Sequence, residues 1–367
     1  MSEQRAQKRH CSRDSISSLT DKEAKEAAEI LLSIKDSVQK SKFSTYLEFE
    51  RIAAIADEAM GSFETFQEYC KRFEGADCKI LTLSGVSEGD RPRLGFQQTQ
   101  VDITTHPRLL FPLPAQWDIV HMLSTINMLR RFIGIVIEAG CRIIIDFILI
   151  YMISHLGKNE TMFVLPELIL SKGGKNGRMA YVHTTDGTDE YITGLVGFTD
   201  YAVHYLPTSY EQLKAEHPPS IETGYRVLEA LGDASTPDSV VLLVEAKNVE
   251  LVLEDNLPQA IAECLAALTI FQQDDRPEIR KRIDQTFVLT NGFRWIFGVV
   301  RQHGYECNSG ERICYHSGVI AFDEVSGINP TQFTLVLRML QLWIKSSAGV
   351  IFNIFESALK ESDSNNE

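Results

Sequence analysis

Val240-Val241-Leu242-Leu243-Val244-Glu245-Ala246-Lys247 is the stretch whose reading decides the rest of the chain. Five branched apolar residues in a row predict a strand covered on both faces, the pattern of a central strand in a helix-flanked sheet. Charge arrives only at the C-terminal end. Because side chains alternate along a strand, Glu245 and Lys247 fall on one face, with small Ala246 turned to the other. Ionised groups at the mouth of a buried strand are costly unless they are paired or used. A salt-bridged strand end accounts for the tripeptide taken alone, so a reactive site needs partners from elsewhere.

Downstream, Asp255 or Asn256 is expected to cap a helix that has Pro258 in its first turn and Gln259 beside it, with Ala260, Ile261, Cys264, Leu265 and Leu268 at apolar spacing. Residues 286–289 and 293–300 read as strands joined by Asn291-Gly292, residues 313–322 as a further strand, and residues 330–355 as one or two closing helices. Upstream, strand-like residues 162–170 and 178–184 flank Gly173-Gly174-Lys175-Asn176-Gly177, and Asn-Gly is a strong hairpin signal. The Gly/Lys run lacks the spacing of a phosphate loop and is read as a turn. After the turn at Asp186-Gly187, residues 191–206 form a long strand on which Ile192, Val196 and Phe198 share a face with Asp200. Residues 207–237 read as a polar, partly helical insertion. This order predicts an α/β protein, a mixed central sheet with helices on its faces.

The most apolar segment is 112–156, and its run from 133 to 156 is long enough to raise a membrane span. Glu138, Arg142 and Asp146, at i, i+4 and i+8, instead place one polar stripe on an otherwise apolar helix. Three ionisable groups near the middle of a span would be expensive, so the reading is a helix sunk in a protein core and no membrane partner. Residues 1–20 are polar and mildly basic (Arg5, Lys8, Arg9, Arg13), lack the apolar core of a secretory signal, and are expected to be a disordered tail. Residues 21–75 carry apolar positions at helical spacing, and a polar connection follows over 84–107. The expected organisation is a tail (1–20), a helical extension with its connection (21–107), a core (108–325, insertion 207–237), and closing helices with a polar tail (326–367).

With 367 residues and 44% hydrophobic content, the chain has ample material for a core. A net charge of -14 argues against binding nucleic acid through a broadly basic surface, so such a partner needs a local basic patch or bridging cations. The clearest basic cluster is Arg276, Arg280, Lys281 and Arg282, which a solvated helix end also explains. Seven cysteines without a C-x-x-C pair predict free thiols, a reducing intracellular compartment and no zinc module. The location expected is nuclear in a eukaryote and cytoplasmic otherwise. H-E-x-x-H and G-x-S-x-G are absent, and the histidines, His204 included, are read as structural or solvated.

Asp200, Glu245 and Lys247 therefore need an explanation together. Two carboxylates from neighbouring strand ends suit Mg²⁺ (or Mn²⁺), which prefers oxygen ligands and keeps several waters. Such an ion polarises a phosphate and supplies hydroxide, while a nearby ammonium, a compact point charge, neutralises developing charge or orients the attacking water. The literal Pro237-Asp238 does not serve, since seven extended residues put Asp238 about 23 Å from Glu245. It reads as a turn residue entering the strand.

On these residues the chain resembles the PD-(D/E)XK nuclease superfamily, the restriction-endonuclease-like fold. Asp200 matches the first acid, Glu245-Ala246-Lys247 the E-x-K, and Gln259 the glutamine that many members carry in the following helix. Glu138 matches the position from which some members donate another acid. Thr199 stands where the motif has proline, and the interval from Asp200 to Glu245 is longer than usual. The resemblance covers about residues 130–300 and implies a metal-dependent nuclease acting on nucleic acid, DNA ahead of RNA, with a homodimer left open. The competing reading is a non-catalytic nuclease-fold protein that acts as a protein-interaction module.

Overall fold

The computed structural model describes residues 66, 68–73, 75–109, 112–133, 137–155, 160–171, 179–206, 240–272, 282–303, 312–324 and 327–364. The expected tail, the helical extension up to residue 65, the 173–177 turn, the 207–237 insertion, Pro237-Asp238 and the basic residues Arg276, Arg280 and Lys281 lie outside them.

Among the described residues ten strands form one mixed sheet: β1 (Asp77–Thr82), β2 (Phe96–Gln100), β3 (Thr161–Ser171), β4 (Ala180–Asp186), β5 (Asp189–Leu206), β6 (Val240–Ala246), β7 (Asp284–Thr290), β8 (Arg294–Gln302), β9 (Arg312–His316) and β10 (Ile320–Ala321). The spine runs β1-β5-β6-β7-β8-β9-β2. The long helices are α1 (Ile119–Phe132), α2 (Glu138–Ser154), α3 (Leu257–Gln272), α4 (Pro330–Lys345) and α5 (Ala348–Ser364). The coarse class read from the sequence, α/β with a mixed sheet and flanking helices, is what the chain adopts.

β6 is central, antiparallel to β5 and parallel to β7. Its alternation sorts two cores. Leu242, Val244 and Ala246 join the core beneath α1, α2, α4 and α5, whereas Leu243 faces α3 and packs with Leu257, Ile261 and Leu265. With a helix layer on both faces, the consecutive residues Leu242, Leu243 and Val244 are all buried, which is why this part of the strand carries no polar alternation. The β7–β8 hairpin turns at Asn291-Gly292 as expected. Gly292 has φ 84°, and the Asn291 side chain accepts from the backbone N–H of Phe293 (3.1 Å) and Arg294 (2.9 Å).

Three expectations need correction. Strands β3 and β4 do not pair with each other as a hairpin. Both pair antiparallel with β5, β4 along residues 189–195 and β3 along residues 197–206. β5 changes partners at Gly197, whose φ of 144° lets the backbone turn where a side chain would press on Leu83. The segment read as a helical extension and connection contributes both β1 and β2, paired with β5 and β9. Phe96-Gln97-Gln98-Thr99-Gln100 is too polar to announce itself as a strand; its pairing with β9 makes it one. The apolar run 133–156 is not one helix either. Ile133 ends α1 in an extended conformation and α2 begins at Glu138. Among the described residues no helix is long and apolar enough to cross a membrane.

Candidate functional site

The last paired couple where β5 meets β6 is Tyr201 with Val244, and one step further along each strand stand Asp200 and Glu245. Both are 5% exposed. Parity turns Glu245 toward Gln259 on α3, while Tyr201 and Val244 point into the opposite core. Asp200 accepts the Ala246 N–H at 2.7 Å, which ties the two strand ends together. The Lys247 N–H donates to the Thr290 carbonyl at 2.8 Å, extending the β6–β7 ladder one residue beyond the strand. Gln259, in the first turn of α3, arrives over this strand end.

These groups form a closed polar cluster. Lys247 Nζ donates to Glu245 Oε1 and to Gln259 Oε1, each at 2.7 Å. Gln259 Nε2 donates to Glu245 Oε1 at 2.6 Å and to Glu263 Oε1 at 3.0 Å. Four of the residues expected to act together, Asp200, Glu245, Lys247 and Gln259, thus converge. Glu138 reaches them indirectly: Arg142 Nη2 donates to Glu138 Oε1 at 3.1 Å and also to Asp200 Oδ1, and Nη1 lies 3.6 Å from Glu167 Oε1. A guanidinium therefore stands between Glu138 and Asp200.

Burial disfavours charge throughout, and the neighbours decide who keeps it. Burial first, then the Glu245 charge, lifts the Asp200 carboxyl to about 7 against the opposing pull of the Ala246 N–H and Arg142. Glu263 is 1% exposed; burial foremost, then the charge of Glu245 and a hydrogen bond with it, pushes its carboxyl well above the ordinary range. Burial works against the charge on Lys247, but Glu245, with smaller contributions from Glu263 and Asp200, outweighs it and holds the ammonium above its usual value. Lys247 is consequently a cation near neutral pH and serves as a point charge and donor, not as a base. Burial likewise opposes Arg142, and Asp200 and Glu138 override it.

Glu263, Arg142 and Glu167 escaped the sequence reading as parts of this site. Glu263 left a usable signal, since it lies four residues after Gln259 as the one carboxyl on an otherwise apolar helix and must share its face. Arg142 was visible as the partner of Glu138, but its reach to Asp200 was not.

The donors at the strand ends are oxygens, which fits a hard divalent cation. Among the described residues no group of three or more His, Cys, Asp and Glu side chains is disposed around one point. The fit is therefore two carboxylates, Asp200 and Glu245, with water or substrate completing the shell, and it requires Arg142 to release Asp200 Oδ1. No family model matches the sequence, and no curated protein matches it significantly.

Proposed function

We propose that the chain is a divalent-metal-dependent nuclease of restriction-endonuclease-like fold, working on DNA ahead of RNA in the nucleus or cytoplasm. The observation that carries the reading is the buried Lys247 ammonium, 2.7 Å from both Glu245 and Gln259, with Asp200 at the adjoining strand end. Asp200, well upstream in the chain, comes together with Glu245, Lys247 and Gln259 at one strand end, and that convergence supports the reading. Bound Mg²⁺ or Mn²⁺ would polarise the scissile phosphate and supply hydroxide at neutral pH. Asp200 and Glu245 would hold it. Lys247, fixed by two hydrogen bonds, places positive charge where the phosphate oxygens gain negative charge, and Gln259 keeps that ammonium aimed. With a net charge of -14, approach of a polyanion calls for a local basic patch or bridging cations.

A second reading, a nuclease-fold interaction module without catalysis, is favoured by one feature. Arg142 Nη2 pairs with Asp200 Oδ1, an oxygen that a metal ion would need. The experiment that separates them is incubation of the purified chain with linear duplex DNA and with single-stranded RNA in millimolar Mg²⁺ or Mn²⁺. Cleavage that disappears in D200A and in K247A supports the nuclease. Cleavage retained by both variants, or a wild-type chain that neither cuts nor binds Mn²⁺, removes it and leaves the interaction module.

A further inference from the structure

Glu263 has no part in the D…E-x-K motif, yet it is among the most deeply buried polar side chains of the site, 1% exposed in the middle of a helix buried on nearly every side. Such a group needs a reason to be there. Gln259 Nε2 donates to it at 3.0 Å from one turn earlier on α3, and the same nitrogen donates to Glu245 on β6, so one amide bridges the two acids.

The consequence is in the orientation of Gln259. The two ends of a primary amide are nearly the same size, and only hydrogen-bond partners decide which way it faces. Here the NH₂ end meets two acceptors, Glu263 and the same Glu245 oxygen that accepts from Lys247. The carbonyl end is left to accept from Lys247 Nζ. Reversing the amide would set its NH₂ against an ammonium, two donors face to face, and its carbonyl against two carboxyl groups. We infer that Glu263 is a positioning residue that holds the Gln259 carbonyl toward Lys247 and so keeps the ammonium on Glu245. Its effect on cleavage rests on the nuclease reading; the placement of Lys247 does not.

The test reads both. Lys247 in the full chain is trace-labelled with acetic anhydride without metal and quantified by mass spectrometry against Lys79 and Lys345 as internal references, and cleavage is measured alongside. In E263L, or E263M if the leucine variant does not fold, Lys247 labelling should rise by about threefold or more while the references stay unchanged; kcat should fall by about tenfold with little change in KM, as expected for lost positioning. E263Q keeps an acceptor for Gln259 and should stay within about twofold of wild type on both readouts. Unchanged labelling in the folded apolar variant overturns the inference, as does an E263Q as impaired as E263L. A wild-type chain that cuts nothing while labelling shifts as stated defeats the nuclease reading and leaves the positioning intact.

Discussion

Arg142 donates from one nitrogen, Nη2, to both Asp200 and Glu138, so the acid expected to bind metal is held in an intramolecular ion pair. The pair links α2, in the helix layer beneath the sheet, to the place where β5 leaves β6. It also means that a divalent ion and a guanidinium compete for the same oxygen.

Removing the competitor is expected to strengthen metal binding. Losing the guanidinium also raises the Asp200 carboxyl further, so the comparison is made over a pH series at its plateau, where affinity no longer rises with pH; there R142Q should bind Mn²⁺ about tenfold more tightly than wild type, because a nearby cation no longer repels the ion. Titration followed by electron paramagnetic resonance of free Mn²⁺ checks this. Equal affinities would show that the guanidinium does not stand in the ion's way.

The raised Asp200 carboxyl carries a stability signature. Its value in the folded chain is about 7, above the unfolded value near 3.8. The folded state therefore binds the extra proton between these values, and stability is lost as pH rises through that window. D200N removes the burden. It should unfold at a higher temperature than wild type at pH 8, corresponding to a few kcal/mol at most, and near the wild-type temperature at pH 4. Thermal melts of the metal-free chain at the two pH values decide it.

His204 acts in the opposite direction. It is fully buried, neither ring nitrogen has a hydrogen-bond partner among the described residues, and burial, aided by Arg282, lowers its value to about 3. The unfolded chain binds this proton near pH 6.5 and the folded chain resists, so stability falls as pH drops from about 6.5 toward 3, by up to ~1.4 kcal/mol per pH unit. H204L should show a shallower loss over that range in urea denaturation. An unchanged slope would mean the imidazole is protonated in the folded state.

On the β7–β8 hairpin, Gly298 sits opposite Phe287, and a Cβ there would lie 2.2 Å from the buried ring. G298A should destabilise the chain by about 2–3 kcal/mol through overpacking, and F287L in the same chain should recover part of the loss. A double-mutant cycle with no coupling would refute the contact.

Much of this architecture was legible along the chain. The apolar run ending in Glu245-Ala246-Lys247 announced a central strand, Asn291-Gly292 announced the hairpin, and a carboxylate at Asp200 inside an apolar strand marked a position that needed a partner. The pairing of β3 and β4 was misread because an Asn-Gly turn suggests local pairing, while both strands find β5 instead. The edge strands β1 and β2 were missed because edge positions tolerate polar residues and take their conformation from a neighbour.

The amino-acid order by itself determined which residues would be buried on β6 and on which face its charges emerge, because alternation along a strand is a property of the backbone. Only the tertiary structure decided which cation each carboxylate meets. Arg142 on Asp200, and Glu263 behind Gln259 and Glu245, are contacts between elements whose separation in space depends on how helices pack on the sheet, and no spacing within one segment encodes that distance.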